Sequence, residues 1–310
     1  ITLLASGTCF GLAVLMKQKL IRLQRIAHDG MRLRASAGAA SFRREKSLQE
    51  LLEQARVQVS TLKREIAEDP AEHVARQRAA QERAARERQE SIEKALKEMP
   101  KVQAVKKRSG GRKRGKKSAP SEARVSTTDP EARVMKMPDG GFRPAYNVQI
   151  ATDVDSRFIV GIDVVNSGSD MGQAMPMLDD VERRTGALPR EYLVDGGFAD
   201  LKSIDAVDGR GVTIYAPTMK PSKPRTAGSR PRHKDTPAQA AWRTRMERDE
   251  AKRIYRDRVA TAETVNADLR CWRGLDRIRV RGQSKVRTVA TWAAVTYNML
   301  RWVAVERAAA

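Results

Sequence analysis

The sequence has very little cysteine and lacks an apolar run long enough to span a membrane. Its two cysteines, Cys9 and Cys271, lie far apart, which excludes a disulfide framework and a CxxC metal pair. A reducing cytoplasm is therefore the expected location. The apolar stretch at residues 1–16 has no positive region before it and no cleavage site, and it is short for a membrane span. We expect no membrane partner and interpret this stretch as the end of an element, with the chain truncated at its N-terminus.

Acidic residues are scarce relative to basic ones. The 310 residues include 60 Lys and Arg but 38 Asp and Glu, which gives a formal net charge of +22. The most natural partner of such a chain is a polyanion, and this usually means nucleic acid. Ribosomal or membrane-surface binding would fit the charge as well. A hydrophobic content of 40% can support the core of one large domain or two modest ones.

The first 124 residues divide into three segments of different composition and periodicity. Residues 1–42 contain the residual N-terminal segment and a strand, because apolar residues alternate with arginines at 31–35. Residues 43–100 are predicted to form a helical, coiled-coil-like hairpin, since apolar residues recur at steps of three and four. Residues 101–124 are basic and contain Lys113 and Arg114. This composition predicts a disordered linker that can contact DNA phosphates.

The remainder, 125–310, shows the pattern of an α/β domain. Residues 145–154 and 157–166 predict an antiparallel hairpin. A helix is expected to follow, with Ser169-Asp170 as its N-cap and Gly186 at its end. Further strands are predicted at 192–194 and 211–217. A basic loop at 218–240 then overlaps the start of a strongly helical stretch at 238–270.

The stretch "YLVDGG" places Asp195 directly after a buried strand and before a glycine pair. In open α/β sheets, ligands bind at the carboxyl ends of strands, and the glycines keep bulk away from the carboxylate. Phosphodiester chemistry uses carboxylates at such positions to hold two divalent cations. Spacing alone makes this a weak signal, because many α/β proteins carry acids at strand ends.

Several ordered blocks carry a more specific resemblance. They are "DGMRLRASAG", "TDPEARVMKMPDGGFRPAYNVQIATD", "NSGSDMGQAMPML", "EYLVDGGFAD", "YRDRVATAETVNADLR" and "RGQSKVRTVATWAAVTYNMLRW". Together they resemble the blocks of bacterial insertion-sequence transposases of the DDE class. More narrowly, the chain is similar to the branch with a helical insertion after the first catalytic strand.

This resemblance implies an α/β fold with an RNase H-like mixed sheet flanked by helices and interrupted by the helical hairpin. It also implies a catalytic triad of Asp29, Asp195 and Glu263 that binds two Mg²⁺ ions, with Mn²⁺ as a substitute. Met31 and Phe198 stand where the family usually has Thr and Tyr. The implied reaction is metal-dependent cleavage and strand transfer of double-stranded DNA by a homodimer or higher multimer.

The helical block resembles the family's Tyr, Arg, Glu, Lys pattern through Tyr255, Arg258, Glu263 and Arg270. The resemblance implies that Arg258 and Arg270 contact DNA. Helix geometry gives partial independent support, because Arg256, Glu263 and Arg270 follow one another at intervals of two turns and share a face. An ordinary solvated charged face would show the same spacing.

Three alternatives accompany this interpretation. Asp129 is a rival for the first acid, although Pro130 behind it favours a turn, and we favour Asp29. His28 is expected to be a structural neighbour of Asp29 rather than a general base. In function, the chain could instead be another RNase H-like metal-dependent nuclease, or an inactive remnant that only binds DNA.

Overall fold

The computed structural model describes residues 11–68, 72–110, 122–218 and 230–309. The chain divides into two compact units. The first comprises Ile1–Leu33, Tyr146–Ile278 and Ser284–Ala310, and the second comprises Arg34–Ala145 and Arg279–Gln283. Every helix within the described ranges is too short or too polar to cross a bilayer.

The described part of the chain contains eight strands, eight α-helices and a short 3-10 helix at Ala39–Ser41. The strands are β1 (Arg25–Arg34), β2 (Phe42–Arg43), β3 (Val125–Ser126), β4 (Arg133–Lys136), β5 (Phe142–Asp153), β6 (Ile159–Val165), β7 (Glu191–Leu193) and β8 (Thr213–Tyr215). The helices are α1 (11–17), α2 (Glu45–Glu68), α3 (Glu72–Gly110), α4 (Ala174–Thr185), α5 (Leu201–Asp208), α6 (Pro237–Glu247), α7 (Asp249–Cys271) and α8 (Gln283–Ala309).

A mixed sheet in the order β5, β1, β7, β8 forms the centre of the first unit, and β6 pairs with β5. β1, β7 and β8 are parallel, whereas β5 and β6 form the predicted antiparallel hairpin. The last ten residues of β5 are buried, as expected for a strand covered on both faces. The mixed sheet flanked by helices confirms the predicted RNase H-like α/β class.

Helix α4 packs on this sheet through an apolar stripe. Its residues Met177, Leu178 and Val181 belong to the same core cluster as Tyr192 and Val194, which precede Asp195. The helix ends at Gly186, which has a φ of 75°, so this part of the sequence prediction is confirmed.

The predicted N-cap of α4 is wrong. The helix begins after Gln173, whose side chain makes no capping hydrogen bond, and Ser169 and Asp170 lie in the preceding loop. The Asp170 backbone carbonyl accepts from the amide of Gln173, so its main chain closes a turn. The Asp170 side chain instead accepts hydrogen bonds from Asn147 and Gln149.

The second unit contains the predicted helical hairpin. α2 contributes Leu48 and Leu52 to a shared core, and α3 contributes Ile92, Met99 and Val102. α3 therefore continues past residue 100, where the linker was predicted to begin, because Val102 is still buried against the hairpin.

The rest of that linker, 111–121, lies outside the described residues, and with it Lys113 and Arg114. Residues 219–229 of the predicted basic loop lie outside them as well. The second unit also contains the β2–β3 pair and the antiparallel pairing of β4 with residues 142–145 of β5.

Candidate active site

Two neighbouring parallel strands bring Asp29 and Asp195 together. Ala27 of β1 is paired with Leu193 of β7, and each aspartate follows its strand partner by two residues. The amide of Gly197 donates to Asp195 Oδ1 at 2.7 Å. A Cβ on Gly197 would lie 2.9 Å from that oxygen, so the second glycine leaves room for the carboxylate to fold back on the turn.

Helix α7 supplies the cation and the amide that contact Asp29. Arg258 Nη2 lies 2.9 Å from Asp29 Oδ1 and 3.9 Å from Asp195 Oδ2. Asn266 Nδ2 donates to Asp29 Oδ2 at 2.9 Å. Both Asp29 carboxylate oxygens are therefore held, and one guanidinium lies between the two aspartates.

The electrostatic environment of Asp29 opposes its ionisation. Burial raises the pKa of the Asp29 carboxyl, and the negative charges of Asp195 and Asp170 raise it further. The Arg258 guanidinium and the Gly30 amide act in the opposite direction. A bound cation would favour the ionised form in the same way that Arg258 does.

Glu263 is displaced around α7 from the two residues that contact Asp29. It is exposed, and by helix geometry it is rotated by about 60° from Asn266 and about 140° from Arg258. It shares an exposed stripe with Lys252 and Arg256, and Arg270 continues that stripe. Within the described ranges, no three His, Cys, Asp or Glu side chains are grouped as a metal site.

The sequence analysis missed the role of Asp170 as the hydrogen-bond partner of two buried amides. Its Oδ1 accepts from Asn147 Nδ2 at 2.7 Å and from Gln149 Nε2 at 2.9 Å. Both amides belong to β5 and are 1% exposed. A signal was present in "YNVQI", where two amides alternate with apolar residues in a buried strand and therefore require polar partners.

His28 is buried beneath the site. Its Nδ1 is hydrogen bonded to the Tyr192 hydroxyl, and its ring centroid lies 4.4 Å from that of Phe198. Burial lowers the pKa of His28 to about 3. The imidazole is thus neutral near pH 7 and packed in the core, in agreement with the structural role expected for it.

Asp129 belongs to the second unit, whereas Asp29 and Asp195 belong to the first. Asp129 is fully buried, and its Oδ1 accepts from the Gly282 amide at 3.3 Å. The structure thus groups Asp29 with Asp195. The assignment of Asp29 as the first catalytic acid stays a prediction.

Comparison with known families adds an independent finding. A model of the transposase DDE domain family matches residues 112–299. The matched range begins after Asp29 and contains Asp170, Asp195 and Glu263. No curated protein matches the chain in sequence.

Proposed function

The chain belongs to the transposase DDE domain family, and we propose that it cleaves double-stranded DNA at insertion-sequence ends and transfers the cut strand. Transposases of this family act on DNA and generally use divalent metal ions. We assign the metal ligands as Asp29, Asp195 and Glu263, with two Mg²⁺ ions as the native cofactors and Mn²⁺ as a substitute.

The observation that carries this proposal is that Asp29 and Asp195 both follow, by two residues, the last pair of the parallel β1–β7 ladder and share the Arg258 guanidinium. Their oxygens are hard donors of the kind that Mg²⁺ prefers, and two or three carboxylates suffice because Mg²⁺ retains waters. Arg258 already places one positive charge between them. The donor set, its geometry and the raised pKa of Asp29 therefore fit a divalent-cation site.

The bound ions would activate the attacking oxygen and stabilise the leaving oxygen of the phosphodiester. The chain's own residues would hold and orient the reactants. Asp29 and Asp195 fix the reacting centre, Asn266 fixes the Asp29 carboxylate, and Arg258 offsets negative charge that accumulates there. The attacking group is first water and then the freed 3′-hydroxyl, without a covalent protein intermediate.

The exposed stripe of α7 fits the DNA backbone. Lys252, Arg256 and Arg270 present three cations along the helix that also carries Arg258. Arg258 itself faces the aspartates with a side chain that is 11% exposed, so its predicted DNA contact would be made within the active site. Action as a multimer and a cytoplasmic location belong to the same proposal.

The test is cleavage of DNA that carries the element's own ends, measured in Mg²⁺ and in Mn²⁺ at equal DNA occupancy. We expect the Asp195→Asn variant to lose cleavage by about a hundredfold or more, because a charged metal ligand is removed. Asp179→Asn is the matched control. Asp179 is an exposed aspartate of α4 that pairs with Arg210 and should leave cleavage unchanged.

Equal cleavage by Asp195→Asn and the wild type would contradict the proposed site. Release of cut DNA without joined product would support a nuclease of the same fold instead. A strand-transfer assay with labelled ends separates these two reactions.

One observation favours a second candidate function, binding of DNA without cleavage. Glu263 is exposed, and the described residues form no group of three metal-ligating side chains. A protein that only binds DNA would show steep salt dependence and no requirement for Mg²⁺. Absence of cleavage by the wild-type chain, with DNA binding intact, would select this candidate.

A further inference from the structure

We propose that a pocket between α7, α8 and the β5–β6 turn binds a phosphate group of the DNA backbone. The pocket lies within the first unit and has a volume of about 250 Å³. The inference rests on the proposed function in that DNA is the ligand, and it concerns a site other than that of Asp29 and Asp195. The polar residues that line the pocket are Arg157, Thr264, Asp268, Arg273, Tyr297 and Arg301.

The pocket lies on the side of α7 that is turned away from Asp29. α7 contributes Thr264 and Asp268 to the pocket, and each of them is two positions from Asn266. Helix geometry therefore places both about 160° around α7 from Asn266, whose side chain contacts Asp29. A ligand in this pocket would occupy a surface distinct from the site of the two aspartates.

Positive charge exceeds negative charge in the pocket. Arg273 Nε lies 3.0 Å from Asp268 Oδ1, so this guanidinium has a carboxylate partner. Arg301 Nε donates to the Ser156 carbonyl at 3.0 Å, which is a neutral acceptor. The Arg157 guanidinium makes no ion pair or hydrogen bond with the residues that the structure describes. Two guanidiniums thus remain without a carboxylate, and the planar guanidinium group matches the geometry of a phosphate.

Tyr297 provides a second observation that points to a ligand. The residue is 8% exposed, and its hydroxyl has no hydrogen-bond partner within the described part of the chain. Burial raises the pKa of this hydroxyl, whereas the nearby guanidiniums of Arg301, Arg157 and Arg273 act in the opposite direction. A buried hydroxyl without a partner is unfavourable unless a ligand or an ordered water satisfies it. Tyrosine hydroxyls are among the groups that donate to DNA phosphates.

The turn between β5 and β6 does not by itself account for an arginine at position 157. Arg157 has a φ of 62°, in the left-handed region where glycine and asparagine are the usual residues. Its amide donates to the Asp153 carbonyl at 2.8 Å, a contact that glycine would make without strain. Strained backbone positions of this kind cluster at ligand-binding sites. A role of the exposed side chain in binding explains why a strained residue stands here.

The experiment measures binding of labelled double-stranded DNA to the full chain by fluorescence anisotropy, over a range of salt concentrations and in EDTA to prevent cleavage. Arg157→Gly should make the slope of log affinity against log salt shallower by about 0.9, because one phosphate contact is lost. Its unfolding temperature should equal or exceed that of the wild type, because glycine relieves the left-handed backbone. Lys19→Gly is the matched control. Lys19 is an exposed cation with a φ of 59° outside the pocket, and its replacement should leave the slope unchanged.

Tyr297→Phe removes the hydroxyl without changing the charge of the chain. It should weaken DNA binding about fivefold, because one hydrogen bond to a phosphate is lost. The unfolding temperature should stay the same, because this hydroxyl has no partner in the described part of the protein. Titration with inorganic pyrophosphate in the absence of DNA tests whether the pocket takes a free phosphate compound instead.

A wild-type slope in Arg157→Gly, or an equal change of slope in Lys19→Gly, would overturn the role of the pocket and leave the proposed function intact. Pyrophosphate binding that is lost in Arg157→Gly, with DNA binding unchanged, would overturn DNA as the ligand. Absence of DNA binding by the wild type would contradict the proposed function as well as the pocket.

Discussion

At the scale of single residues, the site depends on what surrounds Asp195. The sequence pattern of a buried strand followed by two glycines predicted that this aspartate lies at the end of a strand. The second glycine, Gly197, donates its amide to the Asp195 carboxylate. Asp170 was missed because Ser-Asp before a helical pattern is typical of an N-cap. Local sequence does not show which polar residue accepts the hydrogen bonds of Asn147 and Gln149, because this depends on long-range packing.

His28 provides a prediction about stability and pH. Its pKa falls from about 6.5 in the unfolded chain to about 3 in the folded one, chiefly through burial. As the pH drops below 6.5, the unfolded chain binds a proton that the folded chain does not. We expect His28 to lower the free energy of unfolding by about 1.4 kcal/mol for each pH unit across this window.

Urea denaturation between pH 7.5 and pH 4.5 checks this expectation. His28→Gln should show a shallower acid loss of stability than the wild type, and His233→Gln, at an exposed position, should match the wild type. The raised pKa of Asp29 acts with the opposite sign, stabilising the fold as the pH falls, and it is common to all three proteins. Identical slopes for His28→Gln and the wild type would refute the buried, neutral histidine.

At the scale of elements, α7 carries two groups of polar residues. Arg258 and Asn266 contact Asp29, whereas Lys252, Arg256 and Glu263 are exposed, and the half-buried Arg270 lies in line with them. Helical periodicity alone places Arg256, Glu263 and Arg270 together. It does not show which face meets the sheet, because that depends on the apolar residues Ala262 and Val265, which α7 buries.

The stripe provides a prediction for DNA binding. The double variant Arg256→Gln and Arg270→Gln removes two proposed phosphate contacts, so the slope of log affinity against log salt should become shallower by about 1.8. Fluorescence anisotropy over a range of salt concentrations measures it. Arg183→Gln with Lys94→Gln, which removes two exposed cations outside α7, serves as the control for net charge.

A slope that falls equally in the control pair would mean that net charge, rather than the stripe, determines binding. A slope that does not change in either variant would exclude both α7 arginines from the DNA contact. The prediction concerns affinity and salt dependence, so it can be tested whether or not the chain cleaves DNA.

At the scale of the whole molecule, the helical hairpin separates Asp29 from Asp195 in sequence, and parallel pairing of β1 with β7 reunites them. The hairpin and the α/β class were predictable because their periodicities are strong. The end of α3 was not, because Val102 is held in the hairpin core by tertiary packing. The assignment of Glu263 comes from the resemblance, with partial support from helix periodicity, and this side chain is exposed in the structure.

The most direct test of the central claim, that Asp195 binds the catalytic metal, is cleavage by Asp195→Cys in Mg²⁺ and in Mn²⁺. A thiolate is a softer ligand than a carboxylate, and Mn²⁺ accepts it more readily than Mg²⁺. We predict that the variant is inactive in Mg²⁺ and regains part of its cleavage in Mn²⁺, while the wild type cleaves in both. Wild-type cleavage by Asp195→Cys in Mg²⁺ would contradict the claim.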